Sequence, residues 1–255
     1  MESLFMDNAT TFFPKLIAHR GASAYAPENT LSALQQSSEL GAEWVECDVM
    51  LDSRGEAIIF HDLKLHRTTN GYGYVSRTPY SVISQLDAGG FFGAKYIGEV
   101  VPTLEQWLKR AALLKMGINL ELKMASQVDR LVDTVMMNLA RFWQTGCPTP
   151  LISSQFVECL SCISKYSHYH CLLGYVTKRW KRNWHKILKQ FHCVSLHVDH
   201  RFLNPKRVQQ VKEEDYLLFA YTVNNQNRAK ELFEMGVDAI FSNYPDLLLQ
   251  EDHSG

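Results

Sequence analysis

Short apolar runs alternate with segments of helical period along most of the chain. Lys15 to Ala18 form the first run, which stops abruptly at His19-Arg20-Gly21. Past the Pro27-Glu28-Asn29-Thr30 loop, Asn29 or Thr30 can cap a helix to about Leu40. Leu31, Leu34 and Leu40 give that helix its apolar side, and Gly41 sits where a glycine stop belongs. Trp44 to Val49 then reads as a strand with period-two alternation, so Glu46 and Asp48 share one face. Asp52-Ser53-Arg54-Gly55 turns the chain into Ala57 to Phe60, which delivers His61-Asp62.

From Asp62 to about Val101 the pattern changes. Gly71, Gly73, Gly89, Gly90, Gly93 and Gly98 punctuate it and no long helical period appears. A structureless loop of that length is uncommon in a compact domain, so the segment reads as a small inserted lobe. Alternation then resumes. Helices are predicted near 102–115, 127–143, 156–166, 180–190, 204–212 and 227–235, and strands near 118–122, 151–153, 171–175, 193–198, 217–223 and 237–241, with Gly117 ending the first of these helices.

Repeated strand-then-helix units, with about eight strands, predict an α/β fold of the (β/α)8 TIM-barrel type. It would span 15–250, with the lobe at about 62–101 inserted after the second strand region. Barrel enzymes place their chemistry at the C-terminal ends of strands. His19, Glu46, Asp48, His61, Glu121 and Lys123 all hold such positions. Core packing does not explain that segregation.

Composition narrows the picture. With 255 residues, 46% hydrophobic and 21% charged, the chain can bury the core of one large domain, and its net charge of -1 gives no electrostatic case for a nucleic-acid partner. Met1 to Pro14 carries Glu2 and Asp7 and lacks the basic start and apolar centre of a signal peptide. No stretch approaches a membrane span. Six irregularly spaced cysteines suit reduced thiols, and a cytoplasmic protein is expected.

Cys159, Cys162, His168, His170 and Cys171 have the residue types of a zinc site, yet no second regular pair completes a standard spacing. The run Lys178 to Lys186 mixes basic residues with Trp180 and Trp184. It reads as a solvated helix packing its Trp side on the barrel, with peripheral contact to a membrane surface as the competing reading. No motif encodes the oligomeric state.

His19 to Thr30 (HRGASAYAPENT) resembles the opening signature of the glycerophosphodiester phosphodiesterase family. Gly41-Ala42-Glu43 leading to Glu46 and Asp48, then His61-Asp62 and Arg67-Thr68-Thr69-Asn70-Gly71, follow in the family's order. Leu86-Asp87-Ala88-Gly89, Pro102-Thr103-Leu104-Glu105, Asn119-Leu120-Glu121-Leu122-Lys123, Tyr221-Thr222-Val223-Asn224 and Gly236-Val237-Asp238 extend the match, so that it covers about Lys15 to Asp246.

The resemblance implies a barrel with a small inserted lobe and one divalent cation, Mg2+ or Ca2+, held by Glu46, Asp48 and Glu121. It further implies acid-base work by His19 and His61, and phosphate contacts from Arg20 and Lys123. A hydrolase of anionic diesters needs cationic clamps and a Lewis acid, and three carboxylates without sulfur ligands suit a hard cation. One histidine would take a proton from the nucleophile and the other, with His61 favoured, would protonate the leaving alkoxide.

The implied substrates are deacylated glycerophospholipids, and the products sn-glycerol 3-phosphate and an alcohol. A lysophospholipase D and a non-catalytic phosphodiester-binding barrel are the alternatives. Phe156 and Tyr221 are candidate pocket walls. Tyr221 stands where the family often has tryptophan, and Ser242-Asn243 where an acid is common.

Overall fold

The computed structural model describes residues 13–123, 127–143, 146–166 and 171–248. β1 (Leu16–His19) leads to α1 (Leu31–Glu39), whose N-cap Thr30 accepts from the Ala33 amide through its side chain. β2 (Trp44–Leu51) then pairs antiparallel with the short β3 (Ala57–Ile59). Between β3 and α3 (Leu104–Leu113) lie three 3-10 turns and the single-turn α2 (Tyr80–Ile83). A reciprocal capping box between Thr103 and Gln106 starts α3.

The remaining units are β4 (Gly117–Leu122), α4 (Val128–Phe142), β5 (Leu151–Ser154), α5 (Val157–Ile163), β6 (Leu172–Thr177), α6 (Trp184–Phe191), β7 (Ser195–Asp199), α7 (Pro205–Lys212), β8 (Leu217–Tyr221), α8 (Gln226–Met235) and β9 (Ala239–Ser242). Eight parallel strands, all but β3, close into a barrel, because β1 pairs with both β2 and β9. The fold is a (β/α)8 barrel. β3 stands outside the closed ring as the return arm of a hairpin on β2.

Strand alternation divides the core into two layers. Val45, Cys47, Val49, Ile118, Leu120, Leu196, Val198, Leu218 and Ile240 face out and join the apolar faces of the helices. Ile17, Trp44, Leu151, Phe219, Ala239 and Phe241 form a separate cluster that fills the barrel floor. A third cluster unites the 61–101 segment with the hairpin: Met50 and Ile58 pack with Phe60, Leu65, Val75, Ile83, Ala88 and Val101.

Some boundaries differ from the sequence expectation. Gly117 is no helix stop; it is the first residue of β4 and lies against the Trp44 ring, which leaves no room for a side chain. The helix expected from Trp180 begins at Trp184, so most of the basic run is loop. Trp184 is itself buried, its ring 6.0 Å from that of Trp180, over which Arg207 lies at 5.4 Å. The Trp side therefore packs on the protein. Cys159 is buried on α5, Cys162 donates to Asp129 at 3.0 Å, and His168 and His170 lie outside the described residues.

Inside the barrel, His197 on β7 is stacked on Phe219 at 5.0 Å and shares a 2.9 Å hydrogen bond with Ser195 Oγ. Burial depresses its pKa to about 3. The ring fits because position 174 on β6 is glycine: a Cβ there would stand 2.7 Å from His197 Nε2 and 2.9 Å from Ser195 Oγ.

Two expectations follow. Gly174→Ala should lower stability by about 1–3 kcal/mol, the usual range for an overpacked core, seen as a reduced urea midpoint. An unchanged midpoint would mean that the imidazole has slack around it. As for pH, the unfolded chain binds a proton at His197 near the ordinary value of 6.5, whereas the folded chain resists it down to about 3. Stability is thus fully present above 6.5 and declines as pH falls from there towards 3. His197→Gln should lose less stability than wild type between pH 7 and pH 4. Parallel urea-midpoint curves for the two proteins over that range would refute the assignment.

Candidate active site

The site is built where strands end. β1 finishes on His19, and the chain then passes Arg20 and Gly21, both at positive φ (56° and 81°). Gly21 is required twice over, since a Cβ there would also meet the Ala33 backbone carbon at 2.7 Å. This sharp turn aims the Arg20 amide at Glu46 Oε2, 2.9 Å away on β2. It also brings the Arg20 guanidinium to Glu28 (2.7 Å) and Asp48 (3.1 Å).

On β2, period two presents Glu46 and Asp48 inward, and register places Asp48 beside Glu121 of β4. One carboxylate oxygen from each of Glu46, Asp48 and Glu121 can be chosen so that all lie within 4.8 Å of one another. Among the described residues this is the one cluster of acidic, His or Cys side chains of metal-holding geometry.

Charge balance in the cluster is uneven. Burial opposes ionisation of Asp48, yet Arg20, Lys123 and His61 outweigh it and hold its pKa below the ordinary carboxylate range. Asn29 reinforces this by donating to Asp48 Oδ2 at 2.9 Å. Burial and the charges of Asp48 and Glu121 push Glu46 well above the ordinary value. Lys123 bonds Glu121 at 2.9 Å and lies 3.4 Å from Asp48. Burial works against its charge, but those two carboxylates raise its pKa overall.

Glu46 Oε1 is buried and has no hydrogen-bond partner, an expensive condition for a carboxylate oxygen. Asn119 Oδ1, on the neighbouring strand in register with Glu46, is orphaned in the same way. An all-oxygen donor set with unsatisfied acceptors fits a hard divalent cation.

The two histidines differ in their supports. His19 Nδ1 lies 2.8 Å from Asn243 Oδ1, leaving Nε2 facing Glu46 Oε2 at 3.9 Å. Burial first, and the Arg20 charge second, lower its pKa to about 4, so the ring is neutral near pH 7. His61 Nδ1 lies 2.6 Å from the Asp62 carboxylate, whose other oxygen accepts from Arg67. Arg67 in turn grips Glu28 with two 2.7 Å bonds, and Glu28 holds Arg20. A continuous chain of charged hydrogen bonds thus runs from His61 to the turn that carries His19.

His19, Arg20, Glu46, His61, Glu121, Lys123 and Tyr221 all line a single cavity of about 180 Å3. Asp48 lies just behind it, buried beneath Arg20 and Lys123. Phe156 does not line it. Alternation along β5 and beyond points Gln155 into the cavity and turns Phe156 towards the helix layer, where it packs on the outer core. Sequence reasoning missed Asn119, Gln155 and His197, which also line the cavity. The signal was available as period two: Asn119 precedes Glu121 by two, and His197 sits between Ser195 and Asp199 on one face. Asn243 was noted as a departure from an acid; its place beneath His19 depends on the closing β1–β9 contact.

Comparison with known proteins agrees with this geometry. The model of the glycerophosphoryl diester phosphodiesterase family matches residues 19–247. A Bacillus subtilis glycerophosphodiester phosphodiesterase is 30% identical, the match covering 91% of this chain and 84% of the relative. One from Caldanaerobacter subterraneus is 29% identical over 92% of this chain and 96% of its own length. Among solved structures, an Oleispira antarctica phosphodiesterase in complex with the product sn-glycerol-3-phosphate superposes with a TM-score of 0.91 at 34% identity, covering 95% of this chain and 98% of that one. The closed barrel, the strand-end cluster of acids and histidines, and a family match over nearly the whole chain place this protein in the glycerophosphoryl diester phosphodiesterase family.

Proposed function

We propose that the protein hydrolyses glycerophosphodiesters to sn-glycerol 3-phosphate and an alcohol. The observation that carries this reading is the convergence of Glu46, Asp48 and Glu121 with two differently supported histidines around one small cavity. The product-bound relative supports the substrate class.

Glu46, Asp48 and Glu121 would hold a divalent cation, Mg2+ or Ca2+, which when bound supplies Lewis-acid polarisation of a phosphoryl oxygen and offsets the negative charge of the diester. Arg20 and Lys123 already neutralise Asp48 and Glu121, and their remaining N–H donors can meet the phosphate oxygens. His19 is uncharged and its Nε2 carries a free lone pair, so it suits removal of the proton from an attacking water. The water oxygen bonds to phosphorus as the bond to the alcohol oxygen breaks. His61, backed by the Asp62 carboxylate, would protonate the departing alkoxide. The two rings then exchange protons with solvent.

A cavity of about 180 Å3 suits a glycerol and phosphate with a small head group. A lysophospholipid, the substrate of the alternative lysophospholipase D, would have to lay its acyl chain along the rim outside.

Release of sn-glycerol 3-phosphate from a panel of glycerophosphodiesters should be abolished by chelator and restored by Mg2+ or Ca2+. In parallel the cation should raise the unfolding temperature of wild type and not of Glu46→Gln. Turnover that persists through exhaustive chelation would reject the cation reading, and no release from folded protein with either metal would reject hydrolysis.

Asn243→Asp should place a carboxylate against His19 Nδ1 and raise the proton affinity of that ring. The acid limb of the pH profile of kcat/KM would then move to higher pH. An unmoved limb would assign the base role elsewhere.

A further inference from the structure

The cavity has two unlike halves. The ends of β1, β2 and β4 carry His19, Arg20, the three acids and Lys123, and these groups are largely engaged with one another or with Asn243. Going round the closed barrel, β6 lies four strands from β1 in either direction, so the ends of β5 to β8 form the facing wall. Period two sets what that wall presents. On β6, Gly174 faces inward against His197, which turns Val176 and then Lys178 the same way. On β5, Gln155 follows Ser153 by two. Gln155, Val176, Lys178 and Tyr221, the last residue of β8, all line the cavity.

The polar tips on this wall are uncommitted. The side chains of Gln155, Lys178 and Tyr221 make no hydrogen bond or ion pair with any described residue. The acids on the neighbouring strand ends are held by other cations: Glu121 by Lys123, and Asp199 by two guanidinium nitrogens of Arg201. Displacement at phosphorus keeps the entering and leaving oxygens roughly in line, so the ester arm that is retained projects sideways from that axis. Both histidines that would serve those oxygens stand on the β1–β4 half, where Arg20, Lys123 and the acid cluster face the non-bridging oxygens. The facing wall is left for the retained arm.

In the hydrolysis proposed above that arm is glycerol, whose two adjacent hydroxyls each donate and accept. The wall matches them group for group: the Gln155 amide and the Tyr221 hydroxyl can do both, and the Lys178 ammonium donates. Val176 and Phe241 supply apolar lining for the carbons. We propose that Gln155 and Lys178, with Tyr221, form a subsite that reads the vicinal diol of the retained glycerol, and so restrict the enzyme to glycerol diesters among phosphodiesters. This assignment rests on the hydrolytic reading and concerns the retained arm alone, not the departing head group.

Two diesters with the same leaving group test it: glycerophosphocholine, and ethyl phosphocholine, in which an ethyl group replaces glycerol. With Mg2+ or Ca2+ present, wild type should favour the glycerol diester in kcat/KM by about a hundredfold, and Gln155→Leu and Lys178→Met should each cut that ratio about tenfold. Thermal unfolding midpoints establish that the variants are folded. Lys178 is exposed, so Lys178→Met decides the question if Gln155→Leu does not fold. An unchanged ratio in the folded variants would overturn the proposal. So would variants that keep the ratio but reorder choline, ethanolamine and serine head groups, since the wall would then face the departing arm. Should neither diester be hydrolysed, the hydrolytic reading fails separately and calorimetry decides on the subsite. Wild type should bind sn-glycerol 3-phosphate more tightly than ethyl phosphate, and Lys178→Met should lose most of that preference; equal binding of the two by wild type would overturn the assignment.

Discussion

Three carboxylates forced together at the strand-end mouth of a low-dielectric barrel are the constraint on which the site depends. Coulomb repulsion and lost hydration both act against Glu46, and neither is answered by enough positive charge inside the protein. Arg20 and Lys123 offset the negative charge of Asp48 and Glu121 but leave one oxygen of Glu46 without a partner. The left-handed turn at Arg20 and Gly21 is part of the same arrangement. It directs a backbone amide and a guanidinium at the cluster from a strand end that could otherwise offer neither.

The same charges organise the surroundings outward. Arg20 needs Glu28, Glu28 bridges to Arg67, and Arg67 fixes Asp62, which orients His61. Because Glu28 precedes α1 whereas Asp62 and Arg67 begin the lobe, the two histidines are positioned through one salt-linked path. Exposed ion pairs of this kind contribute little to stability singly. Their role here is orientation: Glu28 and Asp62 each have two partners, which fixes the carboxylate behind the His61 ring, while the His19 ring is held by Asn243.

Much of this was legible in the linear chain. Alternation of period two exposed Glu46 and Asp48, and the repeated strand-helix units specified the barrel, because those patterns are local. Asn243 was harder. Its importance rests on which strands become neighbours when the sheet closes, a relation between residues far apart in sequence. Phe156 illustrates the opposite error: an aromatic side chain near a strand end invites a pocket role, but counting alternation from Ser153 sends it to the helix layer. The start of α6 was placed too early for a related reason. Lys178 to Asn183 carries enough basic and aromatic residues to suggest a helical face, although Asn183 and not Trp180 is the first capping position.

The hairpin formed by β2 and β3 has a consequence for how this architecture can vary. Met50 and Ile58 belong to the apolar cluster of the lobe, yet Met50 is two residues beyond Asp48 on the same strand. The lobe is consequently not a cassette that recombination could excise or exchange at its chain ends. Any replacement must bring its own cover for Met50 and Ile58, or the strand bearing two of the three acids loses the apolar packing at its far end. Substitutions on the lobe's exposed surface leave that cover intact, whereas substitutions on its underside act on the strand that carries the acids.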